Sequence, residues 1–86
     1  MIVNYSKNFI KQFKKSPQKI KTQVIKRIEI FSQNPLHPSL HNHSLLGEYT
    51  GYYSINITGD WRAIYMPINI NEVLFIALGT HSQLYK

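Results

Sequence analysis

The sequence predicts a small α+β domain of β-α-α-β-β-β order with a short C-terminal turn or helix. Three observations carry that expectation. Apolar residues recur at helical spacing in two adjacent segments between Phe9 and Phe31. Three strand-like runs, residues 52–57, 61–66 and 73–78, then succeed one another through short turns. A chain of 86 residues, 43% hydrophobic, suffices for one packed domain over residues 1–86 and for little else.

Residues 2–5 read as a short first strand. Ser6 is placed to cap the helix that follows, because its hydroxyl accepts from an unpaired first-turn N–H. Phe9, Ile10 and Phe13 form that helix's apolar stripe. Ser16-Pro17 restarts the helix, with serine at the cap and proline at the first helical position, where no N–H is missed. Ile20, Val24, Ile28 and Phe31 recur every three or four residues, with Ile25 beside them. The second helix is expected to end near Gln33, since Asn34-Pro35 disfavours further helical turns. The two helices are read as a hairpin packed on one face of an antiparallel sheet, with their lysines in water. Residues 34–43 are a polar loop holding two prolines and three histidines. Leu45 and Leu46 start or precede a strand, and Asn69-Ile70-Asn71 turns the chain between the last two runs.

The register of the first hairpin decides which side chains share a face. With Thr58 and Gly59 alone in the loop, Ile55 lies opposite Arg62. With Thr58, Gly59 and Asp60 in the loop, Ile57 meets Trp61, Ile55 meets Ala63 and Tyr53 meets Tyr65. A one-residue slip exchanges the faces, so burial selects between them. The three-residue loop is expected, because the alternative drives an unpaired guanidinium towards the helices. It turns Trp61 inward, makes Asp60 a turn residue, and sets Asn56 beside Arg62 on the open sheet face with Ser54 and Ile64.

Composition narrows the partners. There is no cysteine, which excludes a disulfide framework and thiolate metal sites and favours a reducing compartment. No apolar run approaches the roughly 20 residues of a membrane span, and the N-terminus lacks the pattern of a signal peptide. A soluble, cytoplasmic protein without a membrane association is expected. The formal charge is +6, and eight of the ten Lys and Arg residues lie at or before Arg27. The four acids all lie from Glu29 onward. A cationic half beside a near-neutral half suits a polyanionic partner such as nucleic acid. The structural alternative is a solvated helix surface that keeps a small protein soluble.

The later half supplies the chemistry. Arg62, His81 and Tyr85 put a cation, an imidazole and a phenol within reach of one site, a set suited to a phosphodiester. Cleaving a phosphodiester needs a base, an acid, and positive charge at the phosphate. Arg62 stays charged and forks onto phosphate oxygens; otherwise it is a strand-surface arginine paired with Asp60 or Glu72. His81 suits proton transfer, because imidazole titrates near neutrality; otherwise it caps the terminal turn. Tyr85 stacks on a base, donates a proton, or packs on the sheet edge. His37, His41 and His43 invite a metal, but no cysteine or nearby carboxylate completes a set, so no metal and no cofactor are expected. A second proton-transfer group is expected from the same loop, His41 or His43, with His43 the candidate. Glu48 is a weaker base candidate.

The Ser54-Ile55-Asn56…Gly59-Asp60-Trp61-Arg62-Ala63-Ile64-Tyr65 stretch and the Leu78-Gly79-Thr80-His81-Ser82-Gln83-Leu84-Tyr85 ending resemble the RelE/ParE toxin superfamily, in its RelE- and YafQ-like mRNA-interferase branch. The resemblance spans the chain and is most specific from His41 onward. It implies the toxin of a type II toxin–antitoxin pair, a ribosome-dependent, metal-independent endoribonuclease in which the ribose 2′-oxygen attacks the adjacent phosphate. It further implies an antitoxin protein, the ribosome and mRNA as partners. In that light Arg62, His81 and Tyr85 match family positions, as do Asp60 and Trp61. Lys11, Lys14, Lys15, Lys19, Lys26 and Arg27 are expected to hold RNA phosphates, and Asn56 to contact RNA on the sheet. Three positions depart from the pattern. Asn56 stands where a catalytic histidine is common, and Tyr53 and Ala77 stand where arginine is common. Two other classes of function compete: a ParE-like toxin that inhibits gyrase without cutting RNA, and a basic nucleic-acid-binding module without activity. The Arg62, His81 and Tyr85 set favours cleavage over both.

Overall fold

Burial sorts the chain into a helical layer laid on one face of a five-stranded sheet. The computed structural model describes residues 1–85. The elements run β1 (Ile2–Tyr5), α1 (Lys7–Lys15), α2 (Gln18–Gln33), β2 (His43–Ser44), β3 (Tyr53–Asn56), β4 (Trp61–Asn69), β5 (Glu72–Thr80) and α3 (His81–Leu84). Short 3-10 turns at Pro38–Leu40 and Gly47–Tyr49 interrupt the loops on either side of β2.

The helices follow their apolar spacing. Ser6 caps α1, its Oγ accepting from the Phe9 N–H at 3.0 Å. Phe9 is buried and Phe13 packs on the core, while Ile10 stays 42% exposed. Val24, Ile28 and Phe31 bury one face of α2 with Ile20 beside them, and Ile25 faces outward. The helix stops at Gln33 as Asn34-Pro35 demands. One cap differs from expectation. Ser16 closes α1 rather than opening α2, its hydroxyl donating to the Phe13 carbonyl at 2.6 Å, and Pro17 takes the N-cap without a side-chain bond. The orphan carbonyl at the end of α1 competes for the hydroxyl and wins.

Strand order is β1-β5-β4-β3-β2. The hairpin register is the expected one: Tyr53 faces Tyr65, Ile55 faces Ala63 and Asn56 faces Arg62. The sheet is mixed rather than antiparallel, because β1 pairs parallel with β5, Val3 opposite Val73. Only strands joined by tight turns are held antiparallel, and the two-helix hairpin frees β1 from that constraint. A two-residue β2 also joins the far edge, His43 opposite Ser54. In β5 the register slips at Ile76. Side chains of α1 use the irregular backbone there: Asn8 Nδ2 donates to the Ile76 carbonyl at 2.9 Å, and Gln12 Oε1 accepts from the Leu78 N–H at 2.7 Å.

The main core lies between helices and sheet. It gathers Phe9, Val24, Ile28 and Phe31 with Ile55, Ile57, Ala63, Tyr65, Val73, Phe75 and Leu78, and Trp61 packs against it. The other sheet face was expected to be open and is not. Ile64, Ala77 and Leu84 are buried there under Leu45, Tyr49, Tyr52 and Tyr85. Apolar Ile64 at the centre of that face draws α3 and the 45–52 segment over it, since leaving it wet forfeits its burial energy.

Candidate functional site

That half-covered face leaves one cleft at its edge. Its volume is about 510 Å3 and it is lined by His41, His43, Leu45, Asn56, Arg62, His81 and Tyr85. Five of these are sequence-predicted site residues: His43, Asn56, Arg62, His81 and Tyr85.

Arg62 follows the hairpin turn and is half-buried. Its Nη1 donates to the carbonyls of Thr58, Gly59 and Trp61, each at 3.1 Å. Among the described residues its hydrogen bonds thus go to the turn backbone. The carboxylate of Glu72 instead accepts from Asn4 and Asn69. Among the described residues Nε and Nη2 enter none of the Arg62 bonds and keep donors for an incoming anion. Asn56 stands directly across the ladder.

His81 is set by a second turn. Thr80 and Gln83 form a capping box: Thr80 Oγ1 accepts from the Gln83 N–H at 3.3 Å, and Gln83 Oε1 accepts from the Thr80 N–H at 2.9 Å. Gly79 makes this fold-back fit, since a Cβ there would meet Gln83 Oε1 at 3.0 Å. The His81 N–H donates to the Asp60 carbonyl at 2.9 Å, which ties α3 to the hairpin turn. Asp60 is therefore a turn residue that positions the histidine through its backbone. The His81 imidazole is exposed and lies 4.8 Å from the Tyr85 ring. Tyr85 in turn meets Tyr49 edge-on at 6.0 Å, and its hydroxyl is buried with no partner among the described residues. The ring borders the cleft while the phenol points into the second apolar cluster.

His43 comes from β2 and is exposed. Its Nδ1 lies 2.7 Å from the His41 carbonyl. A carbonyl only accepts, so Nδ1 carries the proton and Nε2 keeps its lone pair when the ring is neutral. His37 is engaged elsewhere, 2.8 Å from the Ser39 hydroxyl. The described residues contain no group of three or more His, Asp or Glu side chains arranged to hold a metal.

The predicted cations stand apart from this cleft. Lys11, Lys14 and Lys15 surround a depression on α1 with Lys7 and Ile10, and Lys19 and Arg27 line another beside Ile57 and Thr58. Lys26 is exposed on α2. Arg27 is half-buried and its Nη1 donates to the Ser39 carbonyl at 2.9 Å, so it also holds the loop. Among the described residues Arg62 is the one Lys or Arg side chain that lines the cleft. Of the departing positions, Tyr53 stacks on Tyr65 at 5.5 Å against the main core, and Ala77 is buried beside Ile64. Sequence reasoning missed Leu45 as a lining residue and the Thr80-x-x-Gln83 capping box, although that spacing is itself a helix-start signal.

Comparison with known proteins agrees with this architecture. The model of the YafQ family, bacterial toxins of type II toxin–antitoxin systems, matches residues 1–86. A Haemophilus influenzae protein named as toxin YafQ is 33% identical, over 94% of this chain and 88% of its own length. The crystal structure of YafQ from Escherichia coli superposes with a TM-score of 0.82 at 23% identity, covering 98% of this chain and 97% of that one. YafQ within the E. coli DinJ–YafQ complex superposes with a TM-score of 0.71 at 25% identity, covering 98% and 97%. The chain belongs to the YafQ family of type II toxin–antitoxin toxins.

Proposed function

We propose that this toxin is a ribosome-dependent, metal-independent endoribonuclease that cuts mRNA by attack of a ribose 2′-oxygen on the adjacent phosphate. The observation that carries this reading is the cleft. It brings His43, Asn56, Arg62 and His81, each from a different element, into one space of about 510 Å3. The reaction forms a bond from the 2′-oxygen to phosphorus and breaks the bond from phosphorus to the 5′-oxygen. His43 takes the 2′ proton on Nε2, the nitrogen its loop leaves free. Arg62 meets the charge that grows on the phosphate oxygens. His81, held at the start of α3, returns a proton to the departing 5′-oxygen. The products are a 2′,3′-cyclic phosphate and a 5′-hydroxyl. Tyr85 backs the His81 ring and stacks on a base, and Asn56 offers its carboxamide to the same phosphate or sugar.

The lysines of α1 and α2, with Arg27, hold ribosomal RNA from the side away from the cleft. Such a target lies in the cytoplasm, and among the described residues no helix is long and apolar enough to cross a membrane. By likeness to YafQ in its complex with DinJ, the toxin is neutralised by a cognate antitoxin protein. A cationic toxin favours an acidic segment in that partner.

Primer-extension mapping of mRNA cuts on programmed ribosomes tests the reading. Cutting should survive a strong chelator. Arg62→Ala should lose on the order of a hundredfold in rate, the usual cost of removing a preorganised donor to transition-state charge. Full cutting by both Arg62→Ala and His81→Ala would refute the assigned site. Growth arrest by the intact protein with no mRNA cuts would move the reading to gyrase inhibition.

A further inference from the structure

His43 reaches the cleft on a loop tied down at several points. Leu40 is fully buried in the main core, and Arg27 grips the Ser39 carbonyl. His41 and His43 border the cleft, while Asn42 between them turns the other way. Its Nδ2 donates to the Pro35 carbonyl at 3.0 Å and to the Tyr65 hydroxyl at 2.8 Å, and that hydroxyl lies 3.0 Å from Asn42 Oδ1. Tyr65 is itself wedged in the core, 4.8 Å from Phe31 and 5.4 Å from Phe75. Burial raises its hydroxyl above the usual tyrosine range, so it remains a neutral donor at physiological pH.

His41 pays for this arrangement. Its backbone is left-handed, φ 46° and ψ 46°, the one non-glycine residue with positive φ among those described. A residue with a Cβ holds that conformation only where its surroundings enforce it. In it the His41 carbonyl reaches His43 Nδ1 at 2.7 Å.

We propose that Asn42, clamped by Tyr65, is a positioning residue: it holds His41 left-handed so that the His41 carbonyl locks His43 as the Nδ1–H tautomer, with the Nε2 lone pair facing the cleft. Neutral histidine in water favours the opposite Nε2–H form, which would turn its unprotonated nitrogen to the loop. The clamp therefore selects the minority tautomer, the one that can accept a proton from a bound molecule. The use of that nitrogen rests on the nuclease reading; the tautomer itself does not.

The test is long-range 1H–15N correlation spectroscopy of the intact, histidine-labelled protein at a pH where His43 is neutral, combined with cleavage kinetics. Wild type should report His43 protonated on Nδ1. Asn42→Ala and Tyr65→Phe should both shift His43 towards Nε2–H; Tyr65→Phe keeps the ring, so the core stays packed. His41→Gly keeps the carbonyl and accepts positive φ, so it should retain the Nδ1–H form. On programmed ribosomes Asn42→Ala and Tyr65→Phe should lower kcat roughly ten- to a hundredfold at unchanged KM, as misplaced reacting groups do. Wild type protonated on Nε2, or a wild-type tautomer in a folded Asn42→Ala protein, would overturn the proposal. The expected tautomer pattern in a protein that cuts no RNA would support the clamp and defeat the nuclease reading.

Discussion

On the helix-covered face of the sheet, Phe9, Val24, Phe31, Ile55, Phe75 and Leu78 are each no more than 3% exposed, and aromatic rings interlock across the layer. On the other face Ile64, Ala77, Leu84 and Ser54 are buried, beneath or within α3 and a short irregular segment, and among the described residues the buried Ser54 Oγ and Tyr85 hydroxyl have no partner. One face is closed by regular helices whose spacing matches its apolar stripe. The other is closed by turns, which leave a cleft and unmet polar groups. Buried polar groups without partners cost stability, so the second face holds a shaped polar site at the expense of tight packing. The contrast separates what keeps the protein folded from the face proposed to act on a substrate.

The largest effect expected is on the cleft side. His81→Ala should lower cutting by roughly a hundred- to ten-thousandfold, the range for loss of a proton-transfer group. Its ring is exposed and its N–H stays bonded to Asp60, so thermal melting should hardly move. A melting loss as large as that of a core variant would erase the distinction between the faces. Phe31→Ala attacks the other face. Phe31 is 1% exposed, and its truncation should cost about 3–5 kcal/mol by denaturant titration. A loss no greater than that of an exposed residue would place the stabilising core elsewhere.

A smaller effect belongs to the outer surface of the helical layer. Binding to ribosomes, followed by pelleting over a salt series, should weaken steeply with salt as counterions are released. Replacing Lys14 and Lys15 by glutamine should flatten the log–log slope by about 1 for each phosphate contact removed. A wild-type profile already flat would point to a protein partner. The smallest changes should come from the unmet polar groups. Ser54→Ala and Tyr85→Phe should each gain about 1 kcal/mol, since each removes a buried group that finds no hydrogen bond among the described residues. Tyr85→Phe should still cut RNA, because the ring against His81 remains. An inactive, folded Tyr85→Phe protein would make the phenol the acid.

Much of the helix-covered face was legible from local pattern. Side chains at three- and four-residue spacing have one way to bury together, and α2 ends where Asn34-Pro35 bars another turn. The hairpin register was legible for the same reason: a slip at Gly59-Asp60 would have driven Arg62 into the core. Within the cleft, Arg62, His81, Asn56 and Tyr85 could be named because two turns and a terminal motif lie close in sequence to the residues they aim.

What eluded the sequence depends on contacts between distant segments. Periodicity reports that Tyr65 is inward but not that its hydroxyl meets Asn42, 23 residues earlier. It marks Ile2–Tyr5 as a strand but not its parallel partner, since no tight turn constrains it. Local spacing determined the elements and the hairpin register, because those follow from which side chains one helix or strand can bury. Only the assembled sheet decided that β1 lies beside β5, that the face around Ile64 is covered, that the Tyr85 hydroxyl points inward and that His41 is left-handed. Each of those is set by competition for space and hydrogen bonds among segments that meet only once the chain has folded.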